Sequence, residues 1–346
     1  MVIRHEPGTV TRTASPKLAL IYPLLLLLWL SSALFADSCE FSELDRRVGA
    51  LEDAENRSFS ANAAFLYWWT DAPGLTYALD DGTYLHPKMK PEVGCKLGFR
   101  YELPHDGWDL FLQITHLHSR APTRQAARAG KVFVPLWITA ADMPGGFVDS
   151  VRGHWRLHAG FVDLELGKTF GGGRFFFLRP YTGLRYAEIR QKYHLFYSGG
   201  NLFPGGQDHV YMTNKNFALG LRNGLDIDWK ITRGWGIYSD LGFSLLYGTM
   251  LVHEEEKVSF EAGKRYHVIQ RFSSQAASID LALGLEWLKN FRCDRYRLSF
   301  QLGWEEHLFF AQNNFFHFIS PGFTTPYSSR ESLSFDGITL GGRLDF

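Results

Sequence analysis

The sequence predicts an all-β protein: a transmembrane up-and-down antiparallel β-barrel of ten strands, with twelve as an open alternative. A short periplasmic helix is expected ahead of it. Three observations carry this prediction: long stretches with period-two alternation, connections that alternate long and short, and an N-terminal export signal. The first is plainest in "KNFALGLRNGLDIDWKI" (215–231). Phe217, Leu219, Leu221, Leu225, Ile227, Trp229 and Ile231 share one parity, and Arg222, Asp226, Asp228 and Lys230 share the other. Such alternation makes a strand with one apolar and one polar face. At about 15 residues it is far longer than the usual five or six. Asn223-Gly224 is a hairpin signal. A two-residue turn there would set Arg222 beside Leu225 and Leu221 beside Asp226, mixing charge with apolar surface on both faces. The strand is therefore expected to run through.

The chain has 346 residues with 36 basic and 36 acidic side chains, so no net charge draws it to nucleic acid. Beyond residue 35 no apolar run approaches the 18 or so residues of a membrane helix, which excludes a multi-span helical protein. Ahead of that point, Arg4, Arg12 and Lys17 precede an apolar core from Leu18 to Leu30, and small residues follow. This is the pattern of a secretory signal peptide over 1–36, cleaved after Ala36 or Ala33. In 37–57, Phe41, Leu44, Val48 and Leu51 follow 3-4-3 spacing, which predicts a short amphipathic helix. The barrel is assigned to 58–346.

Ten strand candidates follow, at 58–70, 91–103, 107–118, 151–170, 176–197, 214–232, 235–252, 275–289, 295–310 and 332–346. Long connections fall at 71–90, 119–150, 198–213, 253–274 and 311–331, with short ones between. Outer-membrane barrels alternate in this way, with short periplasmic turns and long external loops. A further hairpin built on "KVFVPLWIT" (131–139) would raise the count to twelve.

Faces are assigned by what lipid tolerates. A one-residue slip would turn every charged side chain outward, at roughly 2–4 kcal/mol for an arginine at mid-membrane. The apolar parity is therefore expected to meet hydrocarbon. Lys96, Arg100, Arg222, Asp226, Asp228, Lys230, Asp280, Glu286, Arg297 and Arg343 are expected in the lumen. Two places fit poorly. Between 151 and 170 the apolar parity changes after Phe161, which predicts a bulge or a strand end outside the membrane. Glu306 falls on the lipid parity, which requires a place at the outer interface.

Trp108, Trp229, Trp235 and Trp287 all lie beside short turns and are expected to form the inner aromatic girdle. "FLYWW" (65–69) and "FF" (309–310) are expected to form the outer one. The last strand carries Ile338, Leu340, Leu344 and Phe346 on one parity. Leu340, Leu344 and the terminal Phe346 resemble the signal read by the barrel-insertion machinery.

Several blocks resemble the Legionella-type major outer membrane proteins and their relatives in chlamydia-like bacteria. They are "DGWDLFLQITHLHS" (106–119), "RPYTGLRYAEIRQKY" (179–193), "GWGIYSDLGFSLLYG" (234–248), "LALGLEW" (281–287), "DRYRLSFQLGWEEHLFFAQNNFF" (294–316) and the closing "GITLGGRLDF". The resemblance implies a pore-forming, surface-exposed barrel that passes small solutes, and it supplies no catalytic residues.

No phosphate-binding loop, zinc-protease motif, nucleophile elbow or Cys-x-x-Cys pair is present, so no catalytic, cofactor or metal residues are assigned. An omptin-like protease would have to bring together acids and histidines such as His116, His118, Asp80, Asp81, Asp142 and His307. An adhesin would use the long loops and leave the lumen closed. Ten strands leave little free lumen, and charges of both signs predict a narrow channel of weak charge selectivity. Cys39 and Cys293 both map to the oxidising periplasmic side and could bridge within or between chains, which would make a homo-oligomer. Cys95 is expected to face lipid, unpaired.

Overall fold

The computed structural model describes residues 59–346 apart from 105, 127–131, 139–144, 174, 233, 260–265, 292–295 and 319–325. The signal segment, the 37–57 helix, Cys39, Cys293 and Asp142 lie outside the described residues.

Ten long strands form the wall: β1 (Phe59–Asp71), β4 (Glu92–Glu102), β5 (Trp108–Ala126), β7 (Ser150–Lys168), β9 (Phe176–Gly199), β10 (Phe203–Lys230), β11 (Trp235–Val258), β12 (Tyr266–Phe291), β13 (Tyr296–Phe318) and β14 (Pro326–Asp345). Each pairs antiparallel with its chain neighbours in the wall, and β1 pairs with β14, so the sheet closes. The two-residue β8 (Phe170–Gly171) only extends the turn before β9. Residue pairs lead from Ser60 through Arg100, Phe111, Glu165, Gly183, Arg222, Ser244, Ser278 and Phe309 to Leu333. Since Ser334 faces Asp71, that circuit returns to β1 about 12 residues from its start. Such a stagger in ten strands goes with the 35–45° tilt at which barrels close.

The barrel has ten strands, not twelve. Segment 131–139 supplies β6 (Phe133–Pro135), which joins β2 (Ala78–Asp80) and β3 (Thr83–Leu85) in a separate small sheet. Asn223 and Gly224 lie within continuous strand, paired to Thr182 and Tyr181 on one side and Phe243 and Gly242 on the other. Glycine is required at 224 because the Tyr181 phenol lies where a Cβ would stand.

One expectation is corrected, and a second is decided between its two alternatives. The connections 198–213, 253–274 and 311–331 are largely strand: β10 spans 28 residues, where a membrane crossing needs about 9–11. The wall thus continues well past the bilayer. In addition, β7 contains no bulge, for its register against β5 and β9 is unbroken. Its parity change has the other expected origin, a strand end outside the membrane. Val162, Leu164 and Leu166 point outward, whereas Val151, Trp155, Leu157, Ala159 and Phe161 are buried inside. The same exchange occurs in β5, β9 and β10, where Leu117, Tyr193 and Met212 are interior. Once the outside of the wall is water, the apolar side chains move to the inside.

Candidate functional site

The lumen holds two tiers. The lower, nearer the short turns, is charged. Arg179 bonds Asp109 through Nε and Nη2 at 2.8 and 2.6 Å, and its Nη1 reaches Asp226 at 2.8 Å and Glu165 at 3.2 Å. Arg185 binds Asp163 in the same two-pronged way, at 2.6 and 2.8 Å, and Asp280 at 2.6 Å. Arg222 bridges them, donating to Glu165 at 3.0 Å and to Asp280, with Asp240 at 3.7 Å and Asp163 at 4.0 Å. Apart from the part-exposed Asp226 and Asp240, these strand-borne groups are almost wholly buried, so paired charges replace lost water. Gly242 leaves the room the Arg222 guanidinium occupies; a Cβ there would stand 2.8 Å from Nη1.

Around this centre, His307 lies between Asp280 (2.7 Å) and Glu305 (3.1 Å), and Lys96 pairs with Glu305. Lys230 holds Glu286 at 2.6 Å, Arg343 holds Asp345 at 2.6 Å, and Arg100 lies 3.6 Å from Asp109. Asp228, Tyr238, Glu286 and Arg343 border a cavity of about 170 Å³, room for several waters. Arg297 sits at the rim, 3.3 Å from Asn290.

The upper tier is mainly apolar, although Asp208, Asn214, Asn216, Glu254 and Glu256 are also buried on its inward parity. Leu66, Trp68, Leu117, Trp155, Phe161 and Phe335 are fully or almost fully buried, and Phe309 stacks on Phe161 at 4.9 Å. Trp68 and Phe309, expected in the outer girdle, belong here instead. The inward parity carries them, and Trp68 Nε1 donates to Thr339 at 3.1 Å. Loop segments close this tier from above: Leu75, Tyr77, Trp137 and Ile138 are buried in the mouth. Two hydroxyls latch them, Tyr193 donating to the Leu75 carbonyl (3.1 Å) and Tyr197 to that of Tyr77 (2.8 Å).

On the outside, Trp108 and Trp235 are exposed and Trp229 and Trp287 half-buried, all pointing away from the lumen beside the short turns. Trp69 stacks on Trp304 at 5.9 Å near the opposite end of the apolar band, and Glu306 lies opposite Asp336, which in turn faces Trp69. Leu340, Leu344 and Phe346 are exposed, with Phe346 stacked on Phe59 at 6.3 Å. Cys95 is exposed beside Phe65 and His116.

Among the described residues, the protease candidates do not converge. His116 and His118 point outward from β5, His307 is inside the lumen, and Asp80 belongs to the small sheet. Sequence reasoning missed Asp109, Asp163, Glu165, Arg179, Arg185 and Asp240. The signal for two of them was present in "FVDLEL" (161–166), where Asp163 and Glu165 alternate with Val162, Leu164 and Leu166. It also missed a cluster on the projecting wall, where ligand atoms of His253, Glu255 and His267 lie within 4.8 Å of one another. Those groups suit a divalent ion, although Lys257 already pairs with Glu255 at 2.6 Å.

The family model described as the Legionella pneumophila major outer membrane protein precursor matches residues 53–346. No curated protein matches the sequence. Among solved structures, the outer membrane protease OmpT from Escherichia coli aligns at 11% identity and TM-score 0.42, over 84% of this chain and 97% of that one. A major outer membrane protein from Thermus thermophilus aligns at 13% identity and TM-score 0.33, over 84% and 98%. OprG from Pseudomonas aeruginosa, also an outer membrane protein, aligns at 10% and 0.28, over 84% and 97%.

Proposed function

Since the chain belongs to the family of the Legionella pneumophila major outer membrane protein precursor, a bacterial outer-membrane β-barrel family, we propose that it is a narrow channel for small solutes, held shut here by two barriers in series. One observation carries the proposal: Arg222 lies within reach of four carboxylates at once. A plug with a single possible pairing would be permanent. A cation with several nearby acids can exchange partners, and each exchange redistributes the space around it. The second barrier includes loop segments latched by two hydroxyls, which can leave without breaking the wall.

Six carboxylates surround the three central arginines, namely Asp109, Asp163, Glu165, Asp226, Asp240 and Asp280. An opened lumen should therefore prefer cations. The test is reconstitution of the refolded chain in planar bilayers. Brief cation-preferring steps are expected, more frequent in Arg222→Gln. Silence from both proteins would refute the channel.

The depth of the apolar tier favours one other reading, a surface platform with a sealed lumen. A tight membrane combined with binding to cells or matrix would select it.

A further inference from the structure

Past the lipid-facing residues Ile114, Val162 and Tyr186, the outward face of β5, β7 and β9 becomes cationic. Arg120 lies directly opposite Arg156, and Arg156 directly opposite Lys192. Opposed side chains in a sheet stand roughly 4.5–5.5 Å apart at Cβ, and like charges so placed destabilise the pairing. The next outward-facing rung toward the membrane sets Arg190 opposite Lys215, and the second such rung away from it, beyond Pro122 and His154, sets Arg124 opposite Arg152. Few acids relieve this. Arg120 lies 3.5 Å from Glu92, and Arg190 pairs with Glu188. Arg156, Lys192, Arg124, Arg152 and Lys215 have no ion pair among the described residues.

The histidine of β9 on the next outward-facing rung adds little charge at neutral pH. At His194, on the projecting part of β9, burial together with the nearby His154, Lys192 and Arg156 pushes the imidazole down to about 4. The field there belongs mainly to arginine and lysine.

Three aligned cations with scarce counter-charge form a surface suited to a multivalent anion. Their position narrows the choice, because the patch continues the lipid-contacting band along the same three strands. A ligand with acyl chains against Ile114, Val162 and Tyr186 would hold its head group against Arg120, Arg156 and Lys192. We propose that this face binds the phosphate groups of a phosphorylated glycolipid of the outer leaflet. The assignment rests on outer-membrane location and is independent of whether the lumen opens.

The full chain, refolded in zwitterionic detergent, would be titrated with a bis-phosphorylated glucosamine glycolipid, with bound lipid counted by native mass spectrometry. Affinity is expected to fall at least tenfold when the lipid is dephosphorylated, and at least tenfold in the Arg156→Gln, Lys192→Gln double variant. Arg156→Lys should stay within about threefold, since charge is kept. If the double variant fails to fold, Lys192→Gln alone should still weaken binding severalfold. Inorganic phosphate at the same concentration should not displace the lipid. Equal binding of dephosphorylated lipid, undiminished binding by a folded charge-removing variant, or displacement by inorganic phosphate would each overturn the assignment.

Discussion

Two halves of the same wall are built inside out relative to each other. In the membrane half, Leu219, Leu221 and Leu245 point outward while Arg222, Asp280 and Arg185 fill the interior. In the projecting half, Trp155, Leu157 and Tyr193 fill the interior while Arg152, Arg156 and Lys192 point outward. The exchange follows one hydrogen-bonded rung, Thr115–Phe161–Ala187–Ala218–Gly248. Each half has one predominantly apolar face, and that face is set by what lies outside the wall. Hydrocarbon outside requires apolar side chains outside, and leaves the interior to paired charge. Water outside reverses the requirement, and the interior packs as in a soluble barrel. In both halves a one-residue slip would expose the wrong face, so register is specified throughout by opposite means.

The largest effect is expected in the charged tier. Asp280 holds Arg185, Arg222 and His307, so Asp280→Ala leaves buried cations without their counter-charge. A loss of about 3–5 kcal/mol is expected, read from urea unfolding in lipid vesicles. A loss under about 1 kcal/mol would mean that the tier is hydrated and its pairs are not needed for stability.

Next comes the outer face of the same strand. Leu221→Arg puts a charge into lipid one residue from Arg222 and should destabilise by roughly 2–4 kcal/mol. The matching change on the projecting wall, Thr213→Arg in β10, meets water but stands opposite Lys192, and should cost no more than about 1 kcal/mol in the same assay. Similar losses at 213 and 221 would erase the proposed boundary between the halves.

The smallest effect concerns the mouth. Tyr197→Phe removes one hydrogen bond to the Tyr77 carbonyl and should lower stability by about 0.5–1.5 kcal/mol. Its sharper readout is hydrogen exchange at 75–85, which should quicken while the wall strands stay protected. Unchanged exchange there would show that packing alone holds the loop.

Much of this was legible in the chain. The alternation in 215–231 places Arg222 and Leu221 on opposite faces of a strand, and long-short connections led to ten wall strands. Other features could not be read in that way. In β7 and β9 the apolar parity changes partway along, and a single chain does not say whether a bulge or a change of solvent is responsible. "FLYWW" looks like a uniform girdle, yet parity divides it, with Trp69 in the girdle and Trp68 in the lumen.

What the sequence determined by itself was the local pattern: which residues form strands, which faces are apolar, and that the last strand ends on an outward aromatic. These depend on period two and on side-chain transfer free energies, which neighbouring residues suffice to specify. Tertiary structure alone decided that Arg179, Arg185 and Arg222 meet Asp109, Asp163 and Asp280, that loop residues 75–78 and 133–138 enter the mouth, and that cations from three strands form one outward row. Those contacts join residues from 22 to 120 positions apart. They exist because the stagger of a closed sheet brings particular rungs together, and no local window contains that information.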